Sequence, residues 1–224
     1  MPEILHVPFQ LDTAQLAETL KIRSSMLDEF SALVGQAADV AQPKVLLRDA
    51  FVEEHGNNSV IIQGVRFYST VLRHNLEGIG RVFPYITTCG REVEELPIDP
   101  KDFVLGSWLH YIKLELLKHC FPVLRDAVST RFGVAKTSSM NPGSGDASVW
   151  PIEQQVGLFS LFGDVEALVG VRLTESFLMD PDVSTSGILF PSEADYKNCQ
   201  LCHRENCPNR SAPFNAELWA QINN

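Results

Sequence analysis

Three cysteines within nine residues, Cys199-x2-Cys202-x4-Cys207, form the densest set of reactive side chains in the sequence. Thiolates so close together, among polar neighbours, can converge on one soft centre, an iron–sulfur cluster or zinc. The fourth ligand is open. His203 directly follows Cys202 and is poorly placed to share its metal, Cys89 is distant in sequence but could approach, and an open fourth position also fits. The alternative is a redox-labile tail, or a disulfide between Cys199 and Cys202. A second group of small and polar residues spans Met140 to Phe190. Asn141, Pro142, Gly143 and Ser144 open a turn-rich run, Glu175 and Ser176 follow an apolar segment, and Ser184, Thr185, Ser186 and Gly187 read as a Ser/Gly loop. Loops held by rigid elements are where binding concentrates, so these ten residues are candidates for cofactor contact. Glu175 and Ser176 fit an equally good structural role, capping backbone amides near a strand end.

Bulk properties remove several function classes. The chain has 224 residues and a net charge of −10, which argues against tracking the phosphates of a nucleic acid. Its 45% hydrophobic content suits a soluble chain with a sizeable core. No apolar run approaches the roughly 20 residues that a membrane helix needs. The start lacks the basic and apolar regions of a signal peptide. With five cysteines, an odd number, and no export signal, a disulfide framework is not expected and the cytoplasm is the expected compartment. The familiar GxGxxG, P-loop, GxSxG and HExxH signatures are absent.

The elements that must position these groups follow from hydrophobic periodicity. His6 to Phe9 reads as a short edge strand, and Asp12 or Thr13 caps a helix to about Ala38. Lys44 to Glu54 reads as a strand that turns at Gly56-Asn57-Asn58 into Val60-Ile61-Ile62. Val65 to Leu72 continues as strand, and Arg81 to Thr88 is a buried one. Asp99 or Asp102 caps a long helix to about Phe132, which Pro122 should kink or divide. On this helix His110, His119 and Cys120 are most simply packing or solvent-facing residues. A strand from Val134 to Ser139 precedes the Pro142-Gly143 turn, and a helix runs from Ile152 to about Phe162. Strands are expected over Val171–Phe177 and Ser186–Phe190. Without a regular βαβ rhythm, the fold class is α+β.

The run NPGSGD…WPIEQQVGLFSLFG followed by GVRLTESFLMDPDVSTSGILF resembles the activation (reactivation) domain of cobalamin-dependent methionine synthase. In that family a Pro-Gly turn and a short helix precede a G-x-x-L-T-E-S-x-x-M-x-P-x-x-S-x-S-G segment. The matching positions are Gly170, Leu173, Thr174, Glu175, Ser176, Met179, Pro181, Ser184, Ser186 and Gly187. The resemblance covers about Met140 to Phe190 well and the first 80 residues little. It implies a single C-shaped domain with a twisted antiparallel sheet flanked by helices over residues 1–195, leaving 196–224 as a Cys-rich C-terminal segment. It also implies S-adenosylmethionine binding and docking on a cobalamin-bearing partner. One departure matters. The family places an arginine three residues before the proline of the turn, to hold the ligand's carboxylate. Ser139 stands there, and Ser144 replaces the aromatic residue after the glycine. Serine cannot supply the missing charge, which counts against adenosylmethionine.

The sequence therefore leads to an accessory protein that docks on a corrinoid protein or cobalamin-dependent methyltransferase and supports its reductive reactivation. A Cys-bound cluster would relay the electron, and the protein would be a monomer forming transient complexes. The expected docking face is concave, with the Gly143 and Gly187 loops both open toward the corrinoid. Two alternatives stand beside this reading: an S-adenosylmethionine-binding methyltransferase component, and a zinc-stapled interaction module without catalysis.

Overall fold

The computed structural model describes residues 1–146, 149–193, 196–207 and 210–223. Ala147 and Ser148 of the turn-rich run, Asp195 at the expected segment boundary and Pro208 beside the last cysteine lie outside the described residues.

The long mid-chain strand organises the sheet. Arg81–Thr88 forms this strand as expected, and every residue after Arg81 is buried. In chain order the strands are β1 (Glu3–His6), β2 (Lys44–Leu47), β3 (Ala50–His55), β4 (Ser59–Ile62), β5 (Val65–Tyr68), β6 (Arg81–Thr88), β7 (Thr137–Met140), β8 (Arg172–Leu173), β9 (Met179–Asp180) and β10 (Ser184–Pro191). Along one edge, β6 pairs with β2 near its C-terminal end and with β3 near its start. Along the other edge it pairs with β10, which carries β7 outside it. All these pairings are antiparallel, and with β1, β4 and β5 they make one eight-stranded sheet. The single strand expected over Lys44–Glu54 is thus two strands divided at Arg48-Asp49. The Arg48 amide still donates to the Pro84 carbonyl across the break.

The helices are α1 (Thr13–Thr19), α2 (Leu27–Val40), α3 (Thr70–Asn75), α4 (Phe103–Lys118), α5 (Cys120–Phe132), α6 (Gln155–Ser160), α7 (Val165–Val169) and α8 (Ala216–Asn223). They cover both sheet faces. Side chains alternate along a strand, so neighbours on β6 enter different cores. Val82 and Ile86 pack with α3, α6, α7 and Ile222 of α8, while Phe83 and Tyr85 pack with α1, α2, α4 and α5. The result is the α+β domain expected, a curled antiparallel sheet flanked by helices.

Several expectations shift for local reasons. Asp12 caps α1 by accepting from the Gln15 amide. The expected single N-terminal helix ends at Lys21, whose φ of 53° is left-handed, and resumes as α2. Asp102 caps α4 through the Val104 and Leu105 amides. The break before α5 falls at His119, which puts Pro122 in the first turn of α5, where its missing N–H is not needed. Val65–Leu72 is strand only to Tyr68, because the Ser69 side chain accepts from the Leu72 amide and starts α3. The first strand lies at Glu3–His6 rather than His6–Phe9.

Candidate functional site

Asn141 ties the turn to the sheet. Its Nδ2 donates to Tyr85 Oη and to the Ser186 carbonyl, both at 2.7 Å. The following turn is closed by the Gly143 amide donating to the Trp150 carbonyl (2.8 Å) and the Ser144 amide to the Asn141 carbonyl (3.2 Å). Pro142 is buried, whereas Gly143, Ser144 and Gly145 are exposed. The turn is anchored by Trp150, which is fully buried and meets Phe67 edge-to-face at 5.8 Å. Truncating an aromatic side chain in such a position costs about 3–5 kcal/mol.

The strand expected over Ser186–Phe190 is present but starts earlier, so Ser184 and Thr185 are not loop residues and the Ser/Gly run is strand throughout. Ser184 to Gly187 belong to β10, in register with Thr88 to Tyr85. Two of their side chains are engaged internally: Ser184 Oγ donates to Thr88 Oγ1 at 3.2 Å, and Ser186 Oγ to Gln155 Oε1 at 2.6 Å. The Thr185 carbonyl accepts from Thr87 Oγ1 at 3.3 Å. Gly187 is a point of close approach. A methyl group added there would lie 2.5 Å from Asn141 Nδ2 and 2.6 Å from the Met140 carbonyl oxygen. The neighbourhoods of Gly143 and Gly187 therefore touch, but Gly187 is sealed within the sheet and cannot face a partner. The concave face with two open loops is not formed; what remains open is the Gly143–Gly145 turn. Burial pushes the Tyr85 hydroxyl pKa up, and hydrogen bonds from Asn141 and Ser139 only partly oppose this. Ser139, on β7, is thus part of the same buried polar group.

Glu175 and Ser176 occupy an exposed tip. The expected strand Val171–Phe177 is only β8, which pairs with β9 in a two-stranded hairpin. Within its connection the Thr174 amide donates to the Leu178 carbonyl at 2.8 Å, and Phe177 adopts a left-handed φ of 63°. Gln155, 3% exposed, holds this tip to the sheet: its Nε2 donates to the Phe177 carbonyl at 2.9 Å while its Oε1 accepts from Ser186. One hydrogen-bonded series therefore joins the Asn141 turn, β10, α6 and the Glu175 tip. Gln155 and Tyr85 are the residues sequence reasoning missed. A glutamine on a short helix and a tyrosine in a buried strand carry no signal until their partners are known.

Arg91 supports the base of the same hairpin, donating to the Gly170 carbonyl (3.0 Å) and the Asp180 carbonyl (3.1 Å). Nearby, the buried Lys113 ammonium lies 2.7 Å from Glu94 and 2.8 Å from Asp182. Burial works to raise the Asp182 pKa, but the Lys113 hydrogen bond and charge outweigh it and hold the carboxyl below its ordinary range.

The cysteine segment packs onto the turn. Methyl positions built on Gly145 fall 3.7 Å from Cys202 Cβ, and His203 Nδ1 lies 3.7 Å from Asp146 Oδ2. Tyr196, Leu201 and Ile222 join the core beneath. Cys199 starts a tight turn in which the Cys202 amide donates to the Cys199 carbonyl at 3.3 Å. Arg210 clasps the loop, donating to the carbonyls of Cys199 and Ala212 (3.1 Å), Cys202 (3.0 Å) and Arg204. Cys199 Sγ accepts from the Ser211 amide and hydroxyl, both at 3.4 Å. Burial acts to raise the Cys199 pKa, but the Ser211 bonds, the Ala212 amide and the Arg210 charge hold it below the ordinary thiol value. All five cysteines are free. Cys89 belongs to the core on the opposite sheet face, where burial pushes its thiol up to about 12, so it does not approach the other three. Among the described residues no group of three or more His, Cys, Asp or Glu side chains is placed to hold a metal. Nor is any described helix long and apolar enough to cross a membrane.

Neither a family model nor a curated relative matches the chain. A solved structure does. It is described as the crystal structure of the MetH reactivation domain bound to AdoHcy, and it matches with a TM-score of 0.56 and 14% identity over 88% of this chain and 81% of that one. The chain shares that domain's fold. The resemblance carried by Met140 to Phe190 in the sequence thus extends, as a shared fold, to 88% of the chain.

Proposed function

We propose that this protein is an accessory protein that docks on a corrinoid protein or cobalamin-dependent methyltransferase and supports its reductive reactivation in the cytoplasm. The observation that carries this reading is the fold shared with a reactivation domain, joined to a small-residue turn held rigid at its base. Asn141 and the Trp150 carbonyl fix that turn, so Gly143, Ser144 and Gly145 reach the surface with short side chains. Small, pre-organised turns let a broad, flat group approach a backbone closely. Glu175 and Ser176, held through Gln155, supply the polar contacts of a second tip. The corrinoid would belong to the partner and would supply the nucleophilic cobalt there. This chain's residues position and cover the corrinoid.

The matched domain is bound to AdoHcy. Here Ser139 stands where the family's carboxylate-binding arginine would be and is turned to Tyr85. We therefore assign methyl-donor binding to the partner rather than to this chain. Immobilised protein should retain a corrinoid protein in its cobalt(II) state, with and without adenosylmethionine. The exposed substitutions Ser144→Lys and Glu175→Lys together should weaken retention about tenfold, roughly 1.4 kcal/mol, without changing thermal stability. Equal retention of wild type and double variant would refute the docking surface. Micromolar adenosylmethionine binding by this chain alone, measured calorimetrically, would favour the methyltransferase-component reading.

A further inference from the structure

Two of the three C-terminal cysteines share a turn. The bond from the Cys202 amide to the Cys199 carbonyl closes it at 3.3 Å. A turn so closed brings its first and fourth Cα atoms within about 7 Å, which overlaps the roughly 4.4–6.8 Å that a disulfide spans. Both thiols are free, and they differ in setting. Cys199 is partly open, and Ser211 aims an amide and a hydroxyl at its sulfur. Cys202, three residues on, is 8% exposed. Arg210 donates to the carbonyls of both residues, so one guanidinium fixes the backbone that carries the pair. An outer sulfur with donors directed at it and an inner sulfur one turn away form the arrangement of an exchanging dithiol, in which the outer attacks and the inner resolves. Cys207 has no part in this turn.

We propose that Cys199 and Cys202 form a thiol–disulfide exchange site for low-molecular-weight disulfides, with Cys199 as the attacking and Cys202 as the resolving sulfur. Cys199, its proton lost to solvent, attacks one sulfur of the disulfide. A mixed disulfide forms, the original S–S bond breaks, and the first leaving thiolate takes the proton of Cys202. The Cys202 thiolate then attacks Cys199 Sγ and releases the second thiolate, which is protonated by solvent. Two protein thiols are oxidised and one disulfide is reduced to two thiols.

The test uses the full chain, reduced and chelator-treated, incubated with oxidised glutathione, quenched in acid, alkylated and digested with trypsin. Cleavage after Lys197, Arg204 and Arg210 separates the pair, in 198–204, from Cys207, in 205–210. The expected result is a 198–204 peptide lighter by two hydrogens and unalkylated, beside an alkylated 205–210 peptide. Cys202→Ser should trap one glutathione on Cys199, and Cys199→Ser should slow glutathione uptake at least tenfold. A disulfide joining the two peptides, equal uptake by both variants, or a bound metal that survives the chelator and protects all three thiols would each overturn the proposal. The assay contains no corrinoid partner, so it stands or falls separately from docking.

Discussion

The Asn141–Gly187 junction and the Cys199–Arg210 loop lie side by side, yet they are held in opposite ways. In the first, several side chains from β6, β10, α6 and the turn share a closed, buried hydrogen-bond series. In the second, a single half-buried arginine donates to four carbonyls of one local segment. The first couples distant parts of the chain, so disturbing it should be felt globally. The second organises a dozen residues and should fail locally. Sequences rich in small and polar residues serve both, and only the partners' distance along the chain separates the two designs.

The largest effect should come from Gly187→Ala. Its new methyl meets the Met140 carbonyl oxygen at 2.6 Å, a backbone atom that cannot step aside. A cost of about 3 kcal/mol, lowering Tm by roughly 6–12 °C, is expected by calorimetry. A variant as stable as wild type would show that β7 and β10 can part freely there. Gly145→Ala sharpens the contrast: its φ of 89° disfavours a side chain, but the nearest atoms are 3.5 Å away. The expected loss is about 1–2 kcal/mol.

Gln155→Leu comes next. It leaves Ser186 Oγ and the Phe177 carbonyl without their partner, at about 1–3 kcal/mol. Hydrogen exchange should rise through Thr174–Leu178 as well as near Ser186; a change at one place alone would cut the proposed series in two. Arg210→Met should leave Tm within about 1 °C while amide exchange and proteolysis accelerate across 199–212. A drop comparable to that of Gly187→Ala would erase the distinction between the regions.

The smallest effect is that of pH on the Lys113 group. The Asp182 pKa is lowered on folding, so its stabilising share is present above the ordinary carboxylate pKa and is lost as pH falls through the folded value. The Lys113 pKa is raised despite burial, by Asp182 and Glu94, so its share is present below 10.5 and lost above the folded value. Stability should be flat from about pH 5 to 9 and decline in acid. Lys113→Met should reduce the acid slope in denaturant titrations.

Local signals in the sequence were read well where one element decides its own fate. The apolar run Arg81–Thr88 and the helix cap at Asp102 needed no distant partner. The divisions at Lys21 and Arg48 were not legible, because a left-handed residue and a strand that changes neighbours leave the periodicity almost unbroken. Helices α7 and α8 are short and draw their support from the core. The strand expected from Ser186 begins two residues earlier for a physical reason: serine and glycine usually mark loops, but here their small size lets Tyr85, Asn141 and Gln155 close over a strand. The cysteine spacing pointed to a metal, whereas the geometry of the loop depends on Arg210, for which spacing gave no hint.

The position of β6 has a consequence for synthesis. One of its edges is completed by residues that precede it in the chain, the other by Ser184–Leu189, which leave the ribosome well after it. A nascent chain halted before residue 184 would therefore carry a bare central strand whose six residues Phe83–Thr88 lack partners along one side, an invitation to join another chain edge to edge. Products truncated before β10 should aggregate through that exposed edge, and the arrival of β10 is what removes the hazard.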